Sequence, residues 1–397
     1  MINSNELVKI GFTVAQATNI SAFFRNIGYL TVGTDAVITG VEIPSDNVLV
    51  IDSMDTLNAT LKSDSQEYQD IATVLTQNGN LNPNRGQVNN VIVYFGTLVS
   101  GETYGDLATE FISINANWSQ LLINSQEDDD ILSVATVCKT NNRLFVAQTS
   151  SELVANADND SIAKTMATLD NDNVLLVYHT TAGESLAAGL AGIMANPYLG
   201  ATGALYSTVT LVSTEDYTAT VNYNLKNQHV AFYTSVNAIN GGGVEQYGSP
   251  IVFGGDKNGE KGVAMINGED AKRRYIRYCV DLLLKARCID FLKKKLGYED
   301  SSADVLLSTV KSTLTGCQTN GLIKQNSIVT SGENVVEKLG FDLRTVYPSE
   351  LQEVDETAYN GQKYKLVGYY RDSLTGKEVD IDLYIDPNDT DKALIGF

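Results

Sequence analysis

Between residues 27 and 195, short apolar runs alternate with segments whose apolar residues recur at helical spacing. No other feature constrains the fold of this chain as strongly. IGYLTVGTDA (27–36), NVLVIDS (47–53) and NNVIVYFGTL (89–98) read as strands. SQEYQDIATVLTQN (65–78) places Tyr68, Ile71, Ala72 and Leu75 on one side of a helix. In TYGDLATEFISINANWSQLLI, Leu107, Phe111 and Ile114 repeat that spacing, and a strand follows. QEDDD (126–130) reads as a solvated loop or a helix start. RLFVAQT (143–149), DSIAKTMATL (160–169) and NVLLVYHT (173–180) give strand, helix, strand, and ESLAAGLAGIMA (184–195) gives another helix. Such alternation is the pattern of an α/β architecture. ALYSTVTLV (204–212) and HVAFYTSVN (229–237) read as further strands. Two Gly-rich loops follow, INGGG (239–243) and FGGDKNGEKG (253–262). The character then changes to helices at 269–296 and 302–315, and returns to strands at YKLVGYY (364–370) and VDIDLYI (379–385). The whole is a mixed α/β and α+β chain of more than one domain.

A length of 397 residues with 43% hydrophobic residues suits two or three domains with a sizeable core. The net charge of −20 disfavours nonspecific attachment to nucleic acid or insertion into anionic membrane. MINSNELVKIGF lacks a basic segment followed by an apolar one, so no signal peptide is expected. The charge-free span 185–214 is broken by Asn196-Pro197, glycines and Ser/Thr, and reads as a short buried helix, a turn and a strand. Cys138, Cys279, Cys288 and Cys317 show no CxxC spacing and read as reduced core thiols, as in a cytoplasmic protein.

The search for catalytic chemistry finds no site. His179 ends one apolar strand and His229 begins another, and neither stands in a metal-ligand spacing. GGDKNGEKG (254–262) lacks the Lys-Ser/Thr of a phosphate-binding loop. GESLA (183–187) has Ala187 where a nucleophile elbow needs Gly. DNDN (170–173) begins like a calcium loop, but Leu175 stands where the turn needs Gly. Paired carboxylates are common among 48 Asp/Glu and single out no pair, which leaves a carboxylate-dependent hydrolase as an alternative. No catalytic residue, cofactor or metal is expected, and weight shifts to a binding or structural role.

The stretch 269–295 holds nine Lys/Arg and four Asp/Glu, about a third of the positive charge of a chain with 28 Lys/Arg. On a helical wheel, Arg274, Arg277, Asp281 and Lys285 fall in one narrow stripe, and most of the rest is apolar. Two readings stand side by side. Either the arginines pair with internal carboxylates, or the stripe is an open slot facing an acidic partner, a protein rather than nucleic acid. The two ends of the chain carry amphipathic β material. Val8, Ile10, Phe12 and Val14 share one face of a strand at 7–14. At the other end, a hairpin pairing Arg371 with Glu378 puts Tyr369 opposite Asp380, Val367 opposite Asp382 and Lys363 opposite Asp386. Its apolar face is then Tyr364, Leu366 and Tyr370 against Val379, Ile381, Leu383 and Ile385. Opposite charges across such strands contribute about 0.2–1 kcal/mol per pair. Each end needs a partner sheet, within the chain or from a second copy.

From about residue 143 onward the order of segments resembles contractile-tail sheath proteins of bacteriophages. NVLLVYHT, ESLAAGLAGIMANP and LKNQHVAFYTSVN carry the resemblance first. INGGG, YGSPIVFGG, KRRYIRYCVDLLL and TLTGCQTNGLI follow in the family's order. FRNIGYLTVGTDA and EYQDIATVLTQN are similar to the amino-terminal part of one branch. The strand after INGGG lacks the Trp-Gly and Arg-Thr residues of the best-known branch. The resemblance implies an N-terminal strand arm (1–20), a peripheral α/β domain (21–130), a sheath core domain with a tube-facing helix (131–340) and a C-terminal β-hairpin and arm (341–397). It implies hexameric rings stacked helically around a tail tube, with terminal arms that add strands to a neighbouring subunit. The partners implied are further copies, the tail tube protein, and baseplate and tail terminator proteins. The implied place is the phage tail, assembled in the host cytoplasm. The basic helix, with Arg274, Arg277, Asp281 and Lys285, would touch the tube. A tube or baseplate component stands as an alternative beside the hydrolase.

Overall fold

The computed structural model describes residues 23–77, 88–195, 208–236, 249–253, 263–292, 294, 296–331, 334–373, 378–385 and 395–396. The N-terminal strand expected at 7–14 (Val8, Ile10, Phe12, Val14) and both Gly-rich loops at 239–243 and 254–262 lie outside the described residues. The chain divides into a unit spanning Ser21–Tyr275 and a second built on Ile276–Phe397.

The first unit is an eight-stranded sheet. Its strands are β1 (Asn26–Val32), β2 (Val48–Ile51), β3 (Asn90–Gly96), β4 (Gln120–Ile123), β5 (Leu144–Thr149), β6 (Val174–Tyr178), β7 (Ala231–Val236) and β8 (Ser249–Phe253). Their order is β2-β3-β1-β4-β5-β6-β7-β8. The six strands from β3 to β7 are parallel, and β2 and β8 close the edges antiparallel. The parallel strands are near-continuous apolar runs because both of their faces are covered. β4 pairs with β5, Gln120 opposite Leu144 and Leu121 opposite Phe145. Residues on the two sides of the boundary expected near 130 therefore share one sheet.

Helices α1 (Met54–Thr60), α2 (Gln66–Thr76), α3 (Tyr104–Ile114), α4 (Asp128–Thr140), α5 (Glu152–Ala155), α6 (Ile162–Thr168), α7 (Leu186–Met194) and α8 (Ala219–Asn227) fill the connections. Several starts are written in the sequence. Ser65 accepts from the Tyr68 N–H, Ser185 from Ala188, and Thr103 forms a capping box with Asp106. The Asp128–Asp130 run proves to be a first helical turn, where carboxylates complement the helix dipole.

α7 is apolar all round and every one of its residues is buried. It packs against α2 so closely that a Cβ on Gly192 would lie 2.7 Å from the Val74 carbonyl oxygen. Gln120 and Gln148 reach α7 from one face of the sheet. Leu121, Phe145, Ala147 and Leu176, one residue out of phase, join Phe111, Trp118 and Ile131 in the core on the opposite face. The strand expected at 204–212 does not form over its described part. Residues 208–212 carry a turn, with Leu211 at φ 63° and 55% exposed.

Helix α9 (Ala271–Leu292) runs across the division between the units. The second unit continues with α10 (Asp300–Thr319) and a hairpin of β9 (Ser327–Ser331) and β10 (Asn334–Lys338). β11 (Phe341–Val346), α11 (Pro348–Val354), α12 (Glu356–Asn360), β12 (Tyr364–Arg371), β13 (Glu378–Ile385) and β14 (Ile395–Gly396) follow. Strands β11-β12-β13-β14, in that order, make an antiparallel sheet.

Candidate assembly surfaces

The hairpin at the C-terminal end has the register its charges require. Arg371 pairs with Glu378, Tyr369 with Asp380 and Val367 with Asp382. Tyr364, Leu366, Tyr370, Val379, Ile381 and Leu383 are all buried on one face. That face meets aromatic rings of the same unit. Tyr364 stands edge-on to Phe291 at 5.2 Å and to Tyr298 at 5.3 Å, and its hydroxyl donates to the Gly297 carbonyl at 2.7 Å. The partner sheet the hairpin needs is supplied in part by β11, which pairs with β12 from Phe341 opposite Tyr370 to Val346 opposite Lys365. Among the described residues, the outer edge of β13 is the open side. Among the described residues, β14 covers it only at Asp382 and Leu383.

The basic helix departs from the open slot expected of it. Arg274 is 6% exposed. Its Nε lies 3.0 Å from Asp172, and its terminal nitrogen donates to Asn142 at 2.8 Å and Asn173 at 2.6 Å. Asp281 and Lys285 are 5% and 8% exposed and pair with each other at 2.7 Å. Arg277 is half-buried near Tyr370, whose hydroxyl burial pushes well above its usual pKa although the guanidinium opposes the shift. Three of the four residues of the expected slot are thus buried, and Arg274 and Lys285 each pair with a carboxylate of the chain. The solvent side of α9, marked by Arg287 and Asp290, lies roughly 150° round the helix from Arg274, Asp281 and Lys285. Lys272 is half-buried there, Arg273 is half-buried at its edge, and Arg287 and, just past the helix end, Lys294 are exposed. Arg287 has its exposed i+3 neighbour Asp290 at 3.3 Å.

Among the described residues, His179 and the DNDN and GESLA runs are occupied structurally. His179 is buried at the end of β6, its Nε2 3.1 Å from Glu184 and its Nδ1 3.5 Å from Glu215. Glu184 also accepts from the Ser213 N–H at 2.6 Å and hydroxyl at 2.7 Å. Glu215 accepts from the N–H groups of Thr180 and Thr181 and from the Tyr217 hydroxyl. Burial opposes ionisation of both carboxyls, but these hydrogen bonds and the imidazole prevail and hold both pKa values below the usual range. Asn171 and Asn173 of the DNDN run donate to the carbonyls of Ala135 and Cys138, and Ser185 caps α7. The four cysteines are buried thiols, and burial pushes Cys138, Cys288 and Cys317 up to about 12. No group of metal-ligating side chains is found among the described residues, and no helix there is long and apolar enough to cross a membrane.

This fold, a parallel α/β sheet with antiparallel edges, a long helix and a small antiparallel sheet, is similar to that of solved sheath and baseplate proteins of contractile particles. The sheath tail protein of Desulfitobacterium hafniense superposes with a TM-score of 0.57 at 9% identity, over 91% of this chain and 96% of that one. A chain in the six-fold symmetrised baseplate of the anti-feeding prophage matches with a TM-score of 0.55 at 11% identity, over 93% and 92% of the two chains. A chain of the contracted helical sheath of the same prophage matches at 0.52 and 10% identity, over 81% and 83%. No protein-family model matches the sequence, and no curated protein matches it.

Proposed function

We propose that the chain is a structural, non-enzymatic subunit of a contractile phage tail or a related injection particle. Copies polymerise as a sheath around a tail tube and shorten to drive that tube through the host envelope. The observation that carries this reading is the sheath-type fold over nine-tenths of the chain, together with the partly open edge of β13. A strand edge invites another strand, and strand addition between copies links subunits head to tail. The strand at 7–14 of a neighbouring copy fits the need, because Val8, Ile10, Phe12 and Val14 match an apolar face and Lys9 an acidic one. The baseplate and the tail terminator are the partners expected at the two ends of such a sheath.

Negative-stain microscopy of the purified protein tests the reading. Hollow tubes or ring stacks are expected, and a protein that stays monomeric at high concentration counts against it. Deleting residues 1–15 should leave the circular dichroism of the subunit unchanged and abolish tubes. Tubes from the deleted chain would remove the strand-linking role. The match to a baseplate chain favours a second reading, a baseplate component, which would give discs or wedges of fixed size instead of tubes.

The tube contact is assigned to the solvent side of α9, with Arg287 and Lys294 toward acidic tube residues. Arg274 and Lys285 are unsuitable for the test, since reversing their charge would disrupt buried pairs. Arg287→Glu with Lys294→Glu should weaken co-sedimentation with the tube, each contact being about 1 kcal/mol or roughly fivefold. Unchanged co-sedimentation in low salt would take the contact away from this helix. Weak contacts suit a surface that must release on contraction while strand links hold.

A further inference from the structure

The C-terminal sheet carries its own plug. β13 is eight residues long, and on its inner side β12 pairs with all of them, Arg371 opposite Glu378 through Tyr364 opposite Ile385. On its outer side the two residues of β14 pair at Asp382↔Gly396 and Leu383↔Ile395. The backbone groups a neighbour's strand would use are there taken by the end of the same chain. We propose that β14 is a self-cap: it closes the outer edge of β13 in the free subunit and must leave before a strand from a second copy can pair along the full length of β13. This rests on the strand-addition reading above.

Which strand holds the edge depends on whether a neighbour is held in place. Residues 386–394 tether β14 to β13, so its effective concentration is on the order of millimolar. At low concentration the tethered strand wins, and the subunit does not stick to its neighbours through that edge. A two-residue ladder offers few hydrogen bonds, and a strand pairing over eight residues displaces it once a neighbour is held in place. β13 also sets the chemistry of the displacing strand. Val379, Ile381 and Leu383 are buried on one face, and Glu378 and Asp380 are exposed on the other. The incoming strand must therefore alternate apolar residues with Lys or Arg.

A redox staple tests this. Asp382→Cys with Gly396→Cys places thiols at directly opposite positions, within reach of a disulfide. The four native thiols are buried and do not compete. Oxidation of the dilute variant should give an intramolecular disulfide, seen on a non-reducing gel and by mass. Absence of that disulfide overturns the self-cap whatever the assembly assay does. The oxidised variant should then form tubes at least tenfold more slowly than the same protein after reduction, and equal rates overturn the self-cap alone. A wild-type chain that never assembles removes the strand-addition reading, and the role of the self-cap with it.

Discussion

Asp70→Asn is expected to remove a pH-dependent loss of stability of up to about 4 kcal/mol between pH 4 and pH 8. Asp70 lies on α2, 5% exposed. Its two oxygens accept from the Tyr29 hydroxyl at 2.6 Å and the Gln66 amide at 2.6 Å. Burial outweighs both hydrogen bonds and, with help from the nearby Glu67 charge, raises the carboxyl from 3.8 to about 7. Below about pH 4 both the folded and the unfolded chain hold this proton. Between about 4 and 7 the folded chain keeps a proton the unfolded chain has lost, so stability falls as pH rises. Above about 7 both forms are ionised and the loss is complete. Asn is neutral throughout, keeps an acceptor for Tyr29, and lets the Gln66 amide turn to receive its N–H. Urea denaturation of both proteins at pH 5, 6, 7 and 8 measures the difference. Parallel stability curves for the two would show that Asp70 is ionised in the fold at all these values.

Trp118→Ala is expected to cost about 3–5 kcal/mol, the range for a large aromatic removed from a rigid core. Trp118 is the one tryptophan of the chain and is fully buried. Its ring stacks on Phe111 at 5.1 Å, and its indole N–H donates to the Asn115 carbonyl at 2.7 Å. The Arg143 guanidinium lies 4.9 Å from the ring centre and donates to the carbonyls of Trp118 and Ala116. Alanine would leave that buried cation with one aromatic face instead of two, the Phe23 ring at 5.0 Å. β1 has made room for the indole at Gly28, where a Cβ would lie 2.7 Å from the Trp118 ring. Trp118→Phe keeps part of the stack and should lose distinctly less. Denaturation followed by circular dichroism compares the three proteins, and an equal loss for Phe and Ala would mean the cavity is not what destabilises the variant.

Local periodicity made much of the first unit legible. The strands from β1 to β6 and the helices α2, α3, α6 and α7 follow the apolar spacing, which misses the short helices α1 and α5, and the β12–β13 register follows from pairing Arg371 with Glu378. The strand reading of 204–212 failed because alternating Val, Thr and Leu report a preference for extended backbone, not a neighbour to pair with. There Gln77, just past the end of α2, exchanges hydrogen bonds with the backbone of Thr210 instead.

The basic helix shows where sequence reasoning reaches its limit. Its existence, its length to within a few residues and its excess of positive charge were determined by the sequence alone, because each depends only on neighbours along the chain. Which side would face water was decided by tertiary structure. With apolar residues round most of the circumference, a wheel cannot rank the few polar arcs that remain. The choice fell to Asp172, Asn142 and Asn173, some hundred residues earlier in the chain, whose oxygens desolvate and hold Arg274. A charged side chain is buried wherever partners replace its water, and those partners are brought together only by the fold.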